Sequence, residues 1–363
     1  MQHEQIALDY EVTEQKEALY EAIAALLADA LRQTEDAETH ARTLLYEALC
    51  RMWNTLLGTT YRTREEIAML HGAYGLARDL LADMQDDDTP ARAAAPQEMN
   101  GTLRESLASV TSEEFQHQRD ALIRILTEGR LPAAQPLAYL IAGQPGAGKT
   151  TMADLFTGAH SGNIIFISGD AYRPFHPHIA ELRAHFGDDA VLHTQEFAGR
   201  MTEALIDALS AQGYHLIIEG TLRTQEAPLR TRELLAARGY CISLNVLAVP
   251  PLLSYLGTLR RYARMREFGM HPRRTPREHH DRVVRDIAAN LDALDQMHRF
   301  DAIRLYDRTG ACLYEENQQV GSPAEALRRA MARPFSAEER DDLRRIYAPY
   351  VPEDLLDEAL HSY

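Results

Sequence analysis

Eight consecutive residues carry the densest chemical information in this chain: Gly143, Gln144, Pro145, Gly146, Ala147, Gly148, Lys149 and Thr150. They fit the pattern G-x-x-x-x-G-K-[ST]. Glycines at these places let the backbone curl so that its N–H groups converge on the α/β-phosphates of a nucleotide. The loop opens a helix, whose partial positive charge favours anions. Lys149 can then reach the β- and γ-phosphates, and the Thr150 hydroxyl can sit on Mg2+, with Thr151 next in the same first turn. The flanks suit the mechanism: residues 137–142 are an apolar run of strand length, and residues 151–156 continue as an amphipathic helix. A chance glycine-rich turn does not account for both flanks. The segment implies a site for a nucleoside triphosphate with Mg2+.

Phosphoryl transfer to a hydroxyl also needs a carboxylate to accept the hydroxyl proton. Asp170 follows the apolar run ending at Ser168, which places it at the same sheet edge as the phosphate loop. A turn-capping role is the alternative. Arg173 is spaced to pair with Asp170 or to contact substrate. Glu219 ends another apolar run and can hold the hydration shell of Mg2+, although Asp is the more usual residue there. Thr221 and Arg223 follow it and suit a polar, anionic substrate. Residues 259–276 hold six arginines. A mobile basic segment of this kind can close over a γ-phosphate; a solvated helix face is the alternative. The histidines His176, His178, His271, His279 and His280 match no zinc spacing and read as surface or loop residues.

These groups need a scaffold. The chain has 363 residues, 45% of them hydrophobic and 25% charged, as in ordinary globular proteins. No run is long and apolar enough for a membrane helix, and three scattered cysteines point to a reducing, cytoplasmic setting. A net charge of −16 argues against nucleic-acid binding. Residues 1–100 carry 8 Lys/Arg against 19 Asp/Glu, so the acid is concentrated ahead of the phosphate loop.

Helical periodicity predicts helices over 13–33, with Thr13 as cap, over 36–57, and over 64–84: a small all-α three-helix bundle spanning 1–85. Residues 86–110, with charge and prolines, read as a linker. A helix over 113–128 follows. Strands are expected over 137–142, 163–168, 215–219, 240–249 and 302–306, alternating with helices. This is an α/β fold with a mostly parallel sheet flanked by helices, its site beyond the carboxyl ends of the strands. The α/β unit spans 111–333, and 334–363 form a C-terminal helical extension of no assigned chemistry.

The assembled segments resemble the zeta toxins, which have a P-loop kinase fold, over residues 137–330. They are the phosphate loop, Asp170-Ala-Tyr-Arg-Pro-Phe-His-Pro177, Arg200-Met-Thr-Glu203, Ile218-Glu-Gly-Thr221 with Arg223, Ser254-Tyr-Leu-Gly-Thr258 with Arg261, and Arg273-Arg-Thr-Pro276. The resemblance implies ATP- and Mg2+-dependent phosphorylation of the 3′-hydroxyl of UDP-N-acetylglucosamine. It assigns Asp170 as base, Glu203, Thr221, Arg223 and Thr231 as sugar-nucleotide contacts, and Arg261 and Arg273 as groups reaching the transferred phosphate. Arg274 beside Arg273 and the tail after 334 depart from the family, which leaves another small acceptor as the alternative. Residues 8–13 and 61–71 resemble, more weakly, the epsilon antitoxin paired with such toxins. That implies an intramolecular inhibitor; a helical appendage for oligomerisation is the other reading.

Overall fold

The computed structural model describes residues 2–36, 40–58, 64–86, 108–267, 274–316 and 321–363. Six strands, β1 Leu137–Ala142, β2 Ile165–Ile167, β3 Leu216–Gly220, β4 Cys241–Leu247, β5 Ala302–Tyr306 and β6 Cys312–Glu315, form one sheet in the order β2-β3-β1-β4-β5-β6. The first five are parallel, with Ala138 opposite both Leu216 and Ile242. β4 is buried from Ile242 to Leu247 because helices cover both faces, which is why it reads as an unbroken apolar run. β6 is antiparallel to β5 and was not expected. The turn feeding it is local: the Asp307 carboxylate accepts from the backbone N–H groups of Thr309 and Ala311, and Gly310 supplies φ +88°. Asp307-Arg-Thr-Gly310 is the signal that marks this hairpin.

The helices are α1 Gln2–Asp36, α2 His40–Leu56, α3 Arg64–Asp86, α4 Ser112–Thr127, α5 Lys149–Ala159, α6 Ile179–Phe186, α7 Gln195–Ala211, α8 Glu226–Ala236, α9 Pro251–Glu267, α10 Arg277–Gln296, α11 Pro323–Met331, α12 Ala337–Tyr347 and α13 Glu353–Ser362. Thr111 and Glu114 form a capping box that starts α4. α1 starts well before Thr13, because residues 2–12 contain no Gly or Pro to stop a helix. The linker read over 86–110 lies almost wholly outside the described residues.

The three N-terminal helices are present, and they share their core with the sheet. Leu19, Ile23 and Leu27 of α1 and Leu49 and Trp53 of α2 are fully buried in the same cluster as Ile141 and Ile165. Tyr20 stacks on Trp53 with centroids 5.2 Å apart and leans on Phe166 of β2 at 5.7 Å. Arg130 ties the layers, donating to the Asn54 side chain (2.8 Å) and to the carbonyls of Gly162 and Ile164 (3.1 and 3.0 Å). At roughly 1.5–3 kcal/mol for each large apolar side chain removed from water, this interface is an integral part of the fold. At the other end of the chain, Tyr347, Leu356 and Leu360 pack with Leu252, Leu256 and Leu259 of α9 in a second cluster. No helix among the described residues is long and apolar enough to cross a membrane.

Candidate active site

β1 delivers the chain to the phosphate loop at the carboxyl edge of the sheet, between β3 and β4, and α5 leaves it. Gly146 and Gly148 hold φ of +74° and +97°, the left-handed region where glycine has no steric cost. Gly146 has a second constraint. A Cβ there would lie 2.1 Å from the Ser254 carbonyl oxygen and 2.7 Å from the Thr258 nitrogen, both on α9. The loop and the arginine-rich helix are therefore in backbone contact.

Every residue from Gly143 to Thr150 is buried. Lys149 Nζ donates to the carbonyls of Gly143 and Gln144, each at 3.2 Å, and lies 3.6 Å from Glu219 Oε1. Glu219 is next to last in β3, opposite Ile141 of β1, so the strand beside the one that feeds the loop brings the carboxylate to Lys149. Thr151 Oγ1 is buried without a hydrogen-bond partner, and Thr150 precedes it in the first turn of α5. A cradle of glycines, a buried ammonium, a carboxylate and an unsatisfied hydroxyl are the donor set that a Mg2+-bound triphosphate requires. The Gln144 side chain does otherwise: its amide donates to the Val249 carbonyl at 2.6 Å and pins the loop to the end of β4.

Asp170 sits in the one-turn helix Gly169–Tyr172 just beyond β2. Its carboxylate accepts from Arg173 Nε at 2.9 Å, and Arg173 is fixed in turn by the Val191 carbonyl and Thr194 Oγ1. Asp170 and Arg173 line a hollow that also includes Thr194, Arg183 and Glu21 of α1. Beside it, starting at Gly169, a cleft of about 350 Å³ brings together Glu203, Glu219, Thr221, Arg223 and Thr231. Glu203 is paired with Arg230 at 2.5 Å, an arginine of the same cleft that the sequence did not single out. Leu222 between Thr221 and Arg223 has φ +53°, strained for a residue with a Cβ. Asn290 of α10 holds it there, donating to the carbonyls of Leu222 (3.0 Å) and Arg223 (2.8 Å).

Arg261 lies apart from that cleft on α9, its guanidinium donating to Thr275 Oγ1 at 3.2 Å and to Glu17 of α1 at 3.4 Å. Arg273 lies outside the described residues. Two of the histidines are not surface groups: His176 and His280 are fully buried. Burial lowers His176 to about 4, and its Nδ1 accepts from the His178 backbone N–H at 3.1 Å. Sequence reading also passed over Arg308, which follows β5. It is buried beside Gly148 and Gly257 and donates to the Leu253 carbonyl at 3.3 Å. With Val249, Pro250 and Asp307 it lines a further hollow of about 500 Å³ on the β4–β5 side of the loop.

The strand order, the glycine loop after the central strand and the Lys149–Glu219 pair define a P-loop kinase-like fold. Residues 122–319 match the Zeta toxin family. The chain is 39% identical over 237 residues to toxin PezT of Streptococcus pneumoniae serotype 4 (64% of this chain, 93% of PezT), and 38% identical over 236 residues to toxin zeta of Streptococcus pyogenes (64% and 82%). A solved structure from the PezAT chromosomal toxin–antitoxin system of Streptococcus pneumoniae superposes with a TM-score of 0.60 at 36% identity, over 70% of this chain and 99% of that one. This chain belongs to the zeta toxin family. Toxin activity of a kinase type follows from that membership.

Proposed function

We propose that the chain transfers the γ-phosphate of ATP to the 3′-hydroxyl of UDP-N-acetylglucosamine. The gathering of Glu203, Thr221, Arg223 and Thr231 around one cleft that starts beside Asp170 carries this reading. Lys149 and the loop amides hold the β- and γ-phosphates, Thr150 and Glu219 hold the Mg2+ shell, and Thr151 lies against the same phosphates. Bound Mg2+ supplies neutralisation of charge on the β/γ oxygens. Asp170 accepts the sugar hydroxyl proton as that oxygen bonds to the γ-phosphorus and the β–γ bridge bond breaks, releasing ADP. Arg173 keeps the Asp170 carboxylate aimed. Arg261, joined by Arg273, offsets the charge on the transferred group.

The reading includes inhibition in cis by the antitoxin-like residues 1–85, in a chain read as linker over 86–110, kinase unit over 111–333 and extension over 334–363. Glu17 occupies the Arg261 guanidinium, and Lys16 of the same helix grips Asp154 of α5 at 2.7 Å. An acidic helix thus engages the guanidinium assigned here to the transferred phosphate. The test is incubation of the chain carrying Glu17→Ala with ATP and UDP-N-acetylglucosamine, followed by product detection. Formation of the 3′-phosphate, lost in Asp170→Asn, supports the assignment. Transfer only to other acceptors overturns the substrate, and undiminished transfer by Asp170→Asn overturns the base.

A further inference from the structure

The C-terminal segment has no chemistry of its own, yet it contains three tyrosines, Tyr347, Tyr350 and Tyr363, and all three meet arginines of α9 or α10, the first of which touches the phosphate loop. The Tyr350 ring has the Arg260 guanidinium 4.7 Å and the Arg264 guanidinium 4.4 Å from its centroid, and its hydroxyl accepts from Arg264 Nη2 at 2.8 Å. Arg260 and Arg264 are four residues apart on α9 and so share one face. Arg260 is 2% exposed, a position an arginine holds only where something replaces water around its charge; the Tyr347 and Tyr350 faces contribute to that. Arg277 of α10 lies 5.3 Å from the Tyr363 ring, and the Tyr363 hydroxyl donates to Asp281.

The same face reaches the phosphate loop by two routes. Tyr347 OH accepts from Arg308 Nη1 at 3.2 Å, and Arg308 Cγ lies 3.3 Å from where a Cβ on Gly148 would stand. Gly257 of α9 is the second contact: a Cβ there would be 2.6 Å from the Gly146 carbonyl oxygen. Arg261 is next to Arg260 on the helix, turned by about 100°. The tail therefore holds Arg260 one residue from Arg261, on the helix whose backbone touches the loop.

We propose that helices α12 and α13 are a positioning element of the transfer site, with Tyr350 clamping α9 through Arg260 and Arg264. This rests on the kinase reading above, so the test has one arm that does not. In the full-length chain carrying Glu17→Ala, Tyr350→Leu lowers turnover about tenfold with the acceptor KM within about twofold, because the loss falls on the geometry of the transferred group. Amide exchange within 251–267 rises about tenfold in the same variant, while β1 and β4 stay protected. Tyr350→Phe keeps the ring and is parental in both measurements. Unchanged exchange over 251–267 in Tyr350→Leu overturns the proposal. So does a Tyr350→Phe variant as impaired as Tyr350→Leu. If the parent transfers phosphate to no acceptor, the kinase reading fails, and the exchange comparison alone decides the clamp.

Discussion

The Glu17 carboxylate of α1 lies 3.4 Å from Arg261 Nη1 of α9, and both side chains are largely shielded from water, at 17% and 12% exposure. The pair joins residues 244 positions apart, from the most acidic and the most arginine-rich parts of the chain. Shielding reduces the screening that makes exposed ion pairs weak, so breaking this one has a measurable effect. On the role proposed for Arg261, an incoming phosphate and Glu17 compete for one guanidinium, and binding of the one opposes binding of the other.

Glu17→Ala is expected to tighten binding of an ATP analogue by about tenfold, near 1.4 kcal/mol, with folding intact. Calorimetric titration of the full chain measures this. Unchanged affinity would detach Glu17 from the nucleotide site. Deleting the N-terminal region is the poorer experiment, because Leu19, Ile23 and Trp53 are core residues of the sheet as well.

Gly146→Ala should remove transfer activity without removing the fold. Its Cβ would meet the Ser254 backbone oxygen at 2.1 Å, and backbone cannot rotate aside as a side chain does. With φ +74° added, the strain is about 1–3 kcal/mol, relieved by displacing the loop from α9. The expected signature is a lowered Tm and loss of nucleotide affinity together. A variant with parental Tm and affinity would show that this contact is dispensable.

Much of the site is legible in the sequence because its chemistry is local. The phosphate loop, Asp170 with Arg173, and Glu219 with Thr221 and Arg223 each lie within one short segment that pattern and chemistry can read. What escaped is held by contacts distant in sequence. Arg308 follows an unremarkable strand and gains meaning only where α9 and the loop converge on it. Asn290 looks like one polar residue on an amphipathic helix until its two carbonyl partners are seen. The N-terminal helices are likewise readable as helices, but helical periodicity does not say what covers them. The joint core of Tyr20, Trp53 and Phe166 is a tertiary fact.

Asn290→Ala tests whether Leu222 is held in its left-handed backbone for the sake of its neighbours. Removing both hydrogen bonds frees the carbonyls of Leu222 and Arg223 and lets the loop relax to a common conformation. Thr221 and Arg223 then lose their fixed places in the cleft. The acceptor KM should rise roughly five- to tenfold, about 1–1.4 kcal/mol, with the KM for ATP unchanged. Equal changes in both constants would point to a general loosening instead.

His176 supplies a pH dependence with a defined sign. Its ordinary value is 6.5 and burial lowers it to about 4 in the fold, so the folded protein keeps it neutral where the unfolded chain takes up a proton. Stability from this residue is complete above pH 6.5. It declines as the pH falls toward 4, below which both states are protonated and no further loss follows. Other histidines lowered by burial, such as His280, act in the same direction, so the parental curve alone does not isolate His176. The difference from His176→Phe does. Urea midpoints measured between pH 7 and pH 4 should show the parent losing stability relative to the variant as the pH drops, because the variant lacks this titration. Parallel curves would mean that His176 does not titrate differently in the folded and unfolded states.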